Sequence, residues 1–380
     1  MRRAASFACA AVAALALPGA VLAQTYSRCN PLNSGSCPAD TALGMSVNVD
    51  FTKGSVNSFA ASGAPTYNSN GASFTVASGG DAPQLTSVFY IMFGRVEVTM
   101  KAAPGAGIVS SVVLQSDDLD EIDMEWLGAE PDQMQSNYFG KGQTTSYNRG
   151  EFHTVSGTQA NWIKYTVDWT QDRIVWQAGD SVLRTLTVAD AESNQYPQTP
   201  MQVKFGSWAG GDPATNAPGT VKWAEGPTDF SKGPFTMMVQ SISITDYSTG
   251  KQYVYSNNSG SWQSIQAVGG KVNGNANGEN GLTATATAST PDSSPSIVLS
   301  IPVGGIGTDK SPATATQTDF PWLDGVSATG GSIPSGWHIN PNGRIARDNA
   351  GTALSVPIPS LLMVVLGHVA MGALALAVRI

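Results

Sequence analysis

Apolar and polar residues alternate over short stretches along most of this chain, and Gly and Pro separate the stretches. FGRVEVTM, from Phe93 to Met100, is one such stretch, and WIKYTVDW, from Trp162 to Trp169, is another. A period of two over a few residues marks a strand with one face buried. Arg173 to Trp176 and Val182 to Val188 flank an Ala178-Gly179-Asp180 turn, which predicts a hairpin. Met201 to Trp208 and Thr236 to Tyr247 read the same way. Between the two chain ends no stretch carries a helical period. There is no internal repeat, phosphate-binding glycine loop or dinucleotide fingerprint. The pattern predicts an all-β fold, an antiparallel β-sandwich of the jelly-roll kind.

The two ends are apolar without alternation. Arg2 and Arg3 precede an apolar run from Ala4 to Leu17, and Val21-Leu22-Ala23 follows. This is the three-part pattern of a secretory signal peptide over residues 1–23. The other end, LLMVVLGHVAMGALALAVRI from Leu361 to Ile380, follows the small triplet Asn349-Ala350-Gly351 and a short spacer. That order predicts a glycosylphosphatidylinositol (GPI) signal over 350–380, with the lipid at Asn349 on the outer face of the plasma membrane. A retained transmembrane helix is the alternative.

Composition divides what lies between. Aromatic and β-branched residues dominate 24–265, which is expected to form a single folded domain. Gly, Ser, Thr, Ala, Asn and Pro dominate 266–349, which reads as a disordered, O-glycosylated Ser/Thr-rich stalk. Trp322 and Trp337 are exceptions that this reading leaves unexplained. One N-glycosylation sequon, at Asn257, lies near the end of the aromatic region. Cys9 leaves with the signal peptide, so Cys29 and Cys37 form an even pair that an oxidising compartment would let bridge. No further Cys or nearby His completes a metal site, and none is expected. The formal net charge of −8 argues against nucleic acid.

Charged residues make up only 13% of the chain, yet DEIDMEWLG, from Asp120 to Gly128, sets four acids within six positions. On a strand, Glu121, Asp123 and Glu125 would share one face, and Ile122, Met124 and Trp126 the other. A solvated acidic face is one reading, but like charges repel and carboxylates form strands poorly. An EF-hand calcium loop needs a different spacing. Glycoside chemistry fits better, since a retaining glycosidase uses two carboxyl groups about 5–5.5 Å apart. The Cα atoms of Glu121 and Glu125 lie about 13 Å apart on an ideal strand, a gap that two long side chains leaning inward would close. Crowding also spreads the acids' pKa values, so one can stay protonated while another is anionic. Of the tryptophans, Trp162, Trp169 and Trp176 read as core and Trp208, beside Gly210-Gly211, as a sugar platform. His153 reads as a structural histidine.

Glu-x-Asp-x-Glu on a strand of a secreted β-rich chain resembles the catalytic motif of glycoside hydrolase family 16. With NYFGKG (137–142), WAGGD (208–212) and the cysteine pair, it resembles the fungal Crh-type branch, cell-wall transglycosylases that join chitin to β-glucan. The resemblance implies Glu121 as nucleophile, Asp123 as its helper and Glu125 as general acid/base, with no cofactor. It implies sugar contacts at Glu125, Lys204, Trp208, Thr220 and Trp223, and at Tyr138, Phe139 and Lys141. Members often carry Arg where this chain has Lys204. The expected partners are chitin and a β-1,3/1,6-glucan acceptor, bound by a monomer in the cell wall. The residues alone leave a hydrolytic endo-β-glucanase or chitinase, or a non-catalytic wall-polysaccharide binder, as alternatives.

Overall fold

The computed structural model describes residues 27–144, 146–193, 195–276, 278 and 282–286, and the backbone of three short strands at 306–308, 337–339 and 345–347. The predicted signal peptide, Trp322, the anchor position Asn349 and the tail 350–380 lie outside these residues.

In chain order the strands are β1 (Asp40–Thr41), β2 (Ser46–Asp50), β3 (Phe59–Ser62), β4 (Thr66–Asn68), β5 (Gly71–Val76), β6 (Gln84–Ser87) and β7 (Gly94–Lys101). There follow β8 (Ile108–Ser116), β9 (Glu121–Leu127), β10 (Gln133–Phe139), β11 (Glu151–Thr154), β12 (Ile163–Trp169), β13 (Arg173–Ala178), β14 (Ser181–Thr187) and β15 (Met201–Ala209). After the helix α1 (Pro218–Trp223) come β16 (Phe235–Asp246), β17 (Gln252–Tyr255), β18 (Ile265–Val268) and β19 (Thr283–Ala286). β20 (Ile306–Thr308), β21 (Trp337–Ile339) and β22 (Ile345–Arg347) complete the set, with β20 against β19 and β21 against β22. Trp337 thus heads a short hairpin strand.

Two large sheets pack face to face as a jelly roll. One runs β11-β10-β9-β8-β15-β6-β3. The other runs β14-β13-β12-β7-β16-β2-β19, and β5 pairs the early part of β16 beyond β2. The alternating stretches of the sequence form these strands within a residue or two, including the β13–β14 hairpin. Along β7 every second side chain is buried, as along β16 on either side of a bulge between Val239 and Ser241, and one continuous core joins both sheets. A small sheet, β1-β17-β18, closes one end. The Cys29–Cys37 bridge is formed, and the segment it clips receives Asn258 Nδ2 at Pro31 O (2.6 Å).

One boundary needs correction. The ordered domain does not stop at 265. Asn275 is buried and donates to the Asp246 carbonyl at 3.0 Å, and β19 adds a parallel strand to β2. The low hydropathy of this stretch hides its alternation, in which Thr283 and Thr285 face out while Ala284 and Ala286 fill the core edge. α1 is a short α-helix with Pro218 in its first turn. At six residues it is too short to show a period, but proline suits that position because its missing N–H has no helical partner there.

Candidate active site

β9 is an interior strand of the first sheet, third of seven, between β10 and β8. A tight turn at Ser116–Asp120 delivers it, with the Ser116 N–H donating to Asp120 O at 2.9 Å and Leu119 at φ 68°. Gly128 ends it where a Cβ would stand 2.2 Å from the Gly105 carbonyl, so only glycine fits. Ile122, Met124 and Trp126 point into the core, and Trp126 meets Tyr165 of β12 edge to face at 4.6 Å. Trp176 of β13 donates its indole N–H to the Asp123 carbonyl at 3.1 Å, which ties the middle of β9 to the opposing sheet.

The other face of β9 is also withdrawn from water. Glu121, Asp123 and Glu125 are 1%, 1% and 4% exposed. This excludes the solvated-face reading, because the row is withdrawn from water, and burying three acids side by side carries a cost that a chemical role would justify. The register names their neighbours. Glu121 lies between Gln115 of β8 and Phe139 of β10, Asp123 between Val113 and Asn137, and Glu125 between Ser111 and Gln135. Lys204 of β15 lies opposite Val113. Gln115 Nε2 donates to Glu121 Oε2 at 2.6 Å, and Lys204 Nζ donates to Gln115 Oε1.

Burial pushes the Glu121 pKa up to about 7, against the pull of the Lys204 charge and of hydrogen bonds from Gln115 and Asp123. Asp123 is pushed well above the carboxylate range by burial first and then by the charges of Glu121 and Glu125. The bond between Asp123 and Glu121 favours the proton on Asp123. A protonated Asp123 donating to an anionic Glu121 is therefore the arrangement that the surroundings support.

The other predicted residues divide into two groups. Trp208 and Trp223 stack at 6.3 Å and 27° beside the Glu125 end of the acid row. Their indole N–H groups reach Ser111 Oγ (3.3 Å) and Gln135 Oε1 (3.2 Å). Thr220 is half-buried on α1, three residues before Trp223. Phe139 shares the acid face and is half-buried. Tyr138 and Lys141 need correction as sugar contacts. Strand alternation turns Tyr138 into the core, where its hydroxyl accepts from the Glu192 N–H at 3.2 Å. Lys141 lies past the end of β10 with its side chain 6% exposed, and its ammonium sits 2.7 Å from both Asp120 oxygens and 3.6 Å from Asp118.

Trp169 and Trp176 are core as expected, whereas Trp162 is half-buried under the Lys101 ammonium at 5.2 Å. His153 pairs with Ser136 Oγ at 2.8 Å, a structural contact. Asn257 lies on an exposed turn. Gln115, Ser111, Gln135 and Asn137 join the site without having been predicted. Nothing local marked them, since Ser111 and Gln115 lie in a strand without alternation and the pairing of these strands with β9 is a tertiary property.

The chain is similar to known proteins to different extents. The profile described as "Glycosyl hydrolases family 16" matches residues 52–225. "Crh-like protein 4" of Botryotinia fuckeliana is 57% identical over 344 residues, 88% of this chain and 89% of that protein. "Crh-like protein 4" of Aspergillus fumigatus is 48% identical over 354 residues, covering 90% and 76%. "Congo red hypersensitive protein 1" of Saccharomyces cerevisiae is 49% identical over 248 residues, covering 65% and 48%. A solved structure described as "Crh5 transglycosylase in complex with NAG" is 48% identical with a TM-score of 0.61, covering 63% of this chain and all of that one.

Proposed function

This chain belongs to glycosyl hydrolase family 16, within its Crh-like group, and from that premise we propose that it transfers chitin chains to β-glucan by retaining double displacement. It is a glycosyl-transferring glycoside hydrolase. The row of buried carboxylates on β9, flanked by the Trp208–Trp223 stack, carries the reading.

Glu121, anionic and held by Gln115 and Asp123, attacks the anomeric carbon of the donor. Glu125 gives its proton to the departing glycosidic oxygen, and a glycosyl ester forms on Glu121. Glu125, now a carboxylate, takes a proton from an acceptor hydroxyl. That oxygen attacks the anomeric carbon, the ester bond breaks, and its electron pair returns to Glu121. Asp123 keeps its proton throughout and steadies the nucleophile. Trp208 and Trp223 offer flat apolar surfaces to the C–H faces of sugars, with Phe139 and Thr220 completing the wall. The similar transglycosylase solved with NAG supports an N-acetylglucosamine polymer as donor.

The protein works as a secreted monomer in the cell wall, held by a GPI anchor at Asn349 and N-glycosylated at Asn257. The test mixes the protein with a chitin oligosaccharide and a fluorescent β-1,3-glucan oligosaccharide. Growth of the labelled glucan by N-acetylglucosamine units is expected, and its loss in Glu121→Gln with chitin binding retained. Shortened chitin with no growth of the label would make the protein a hydrolase. Activity remaining in Glu121→Gln would remove that residue as nucleophile.

A further inference from the structure

The family resemblance implies a sugar contact for Lys204, but its ammonium is engaged within the protein. It donates to Gln115 Oε1, and Gln115 Nε2 donates onward to Glu121 Oε2 at 2.6 Å. The direction of this chain follows from its ends. An ammonium can only donate and a carboxylate can only accept, so one orientation of the amide satisfies both. The flipped amide would face its NH2 toward the ammonium and its carbonyl toward the carboxylate. Register makes the relay possible, because Gln115 lies directly opposite Glu121 and Lys204 opposite the residue two before Gln115. Gln115 is 3% exposed, so the relay works where water does not weaken it.

We propose that Gln115 is a positioning residue, holding the Glu121 carboxylate in the attacking geometry and passing the charge of Lys204 to it. This rests on Glu121 being the nucleophile. Lys204 then serves the carboxylate through an amide, one step removed from the sugar. The relay acts most strongly when the glycosyl ester breaks, since the electron pair then returns to a carboxylate already facing the Gln115 N–H. Glu121 also faces Asp123 and Glu125 on its own strand, while β10 sets only the uncharged Phe139 opposite it. Lys204 is thus the cation that draws the Glu121 proton off. Without the relay, Glu121 keeps its proton to higher pH.

Transfer kinetics across pH test this in Gln115→Leu, Lys204→Met, Lys204→Arg and the Gln115→Leu/Lys204→Met double variant. The relay predicts that Gln115→Leu and Lys204→Met each lose about 10- to 100-fold in kcat. KM for the chitin donor should change little, and the acid limb of kcat/KM should move to higher pH. Lys204→Arg should recover most of the rate, and the double variant should lose little more than the worse single one. A raised KM with kcat and the acid limb intact would overturn the proposal in favour of direct sugar contact. Additive losses would overturn it too. Should Gln115→Leu fail to fold, Lys204→Met, at a half-buried position, reads the same limb. Turnover in Glu121→Gln would overturn the nucleophile assignment itself, and the relay with it.

Discussion

Asp120 and Glu121 are adjacent, both acidic and both buried, yet they do different work. Asp120 accepts from Lys141 Nζ, the Gln198 N–H (2.7 Å) and Thr199 Oγ1 (2.9 Å), so it ties the start of β9 to the ends of β10 and the approach to β15. Burial raises its pKa to about 6, with Asp118 adding to the rise and Lys141 opposing it. A carboxyl raised in the fold costs stability as pH climbs through its folded value, and Lys141 limits that cost. Lys141→Met should therefore destabilise the protein at pH 7 by about 3–5 kcal/mol, the usual result of breaking a buried pair. The loss should shrink below pH 6, where Asp120 is protonated. Melting curves of both proteins at pH 5 and pH 7 check this, and an equal loss at both values would make Lys141 a packing residue only.

β9 reads as a strand from its alternation alone, and its two apolar and acidic faces fall where the sequence puts them. The same rule applied to β10 separates Tyr138 in the core from Phe139 beside Glu121, two neighbours that composition cannot tell apart. Elements of this kind predict opposite consequences for two tryptophans. Trp126→Ala empties a fully buried site and should cost about 3–5 kcal/mol of stability. Trp223→Ala removes a half-buried ring from a helix that buries none of its residues. It should leave Tm nearly unchanged and weaken chitin-oligosaccharide binding by about 10-fold. Calorimetry of melting and of binding on both variants separates the two roles, and a large Tm loss in Trp223→Ala would place that ring in the core.

Across the whole molecule, buried acids make stability depend on pH. Asp246 accepts from the Gly44 N–H (2.9 Å), Met92 N–H (3.1 Å), Ser248 N–H (3.0 Å) and Tyr253 hydroxyl (2.5 Å), joining β17 of the closing sheet to the end of the sandwich where β2 and β7 begin and β16 ends. Burial still holds its pKa up at about 7, close to that of Glu121. Both groups sit above their unfolded values, so their contribution is complete in acid and is lost as pH rises through about 7. Tm should fall between pH 5 and pH 8, each kcal/mol corresponding to about 2–4 °C for a domain of this size. A flat profile would contradict it. β19 gives a second prediction at this scale. A chain stopped after Val268 leaves β2 as an open edge, and it should melt lower and self-associate more than one stopped after Thr290. Equal melting and equal size in solution would show that β19 adds nothing.

The sequence by itself determined the strands, the jelly-roll class and the row of acids, because period-two alternation is a local property that survives without any knowledge of partners. It also placed Lys204, Trp208 and Trp223 through resemblance, and the fold brings all three to the acid face. Tertiary structure alone decided what depends on pairing. Register set Gln115 against Glu121 and interposed it before Lys204. Burial on both faces of β9 withdrew the three acids from water and raised the pKa of Glu121 and Asp123. An ion pair with Asp120 took Lys141 away from the sugar. The parallel pairing of β19 with β2 ordered a stretch too poor in apolar residues to announce itself. In each case the deciding contact depends on how strands pair and on what that pairing buries, from Gln115 and Glu121 six residues apart to Ser46 and Thr283 at opposite ends of the domain, and none of it is written in a local pattern.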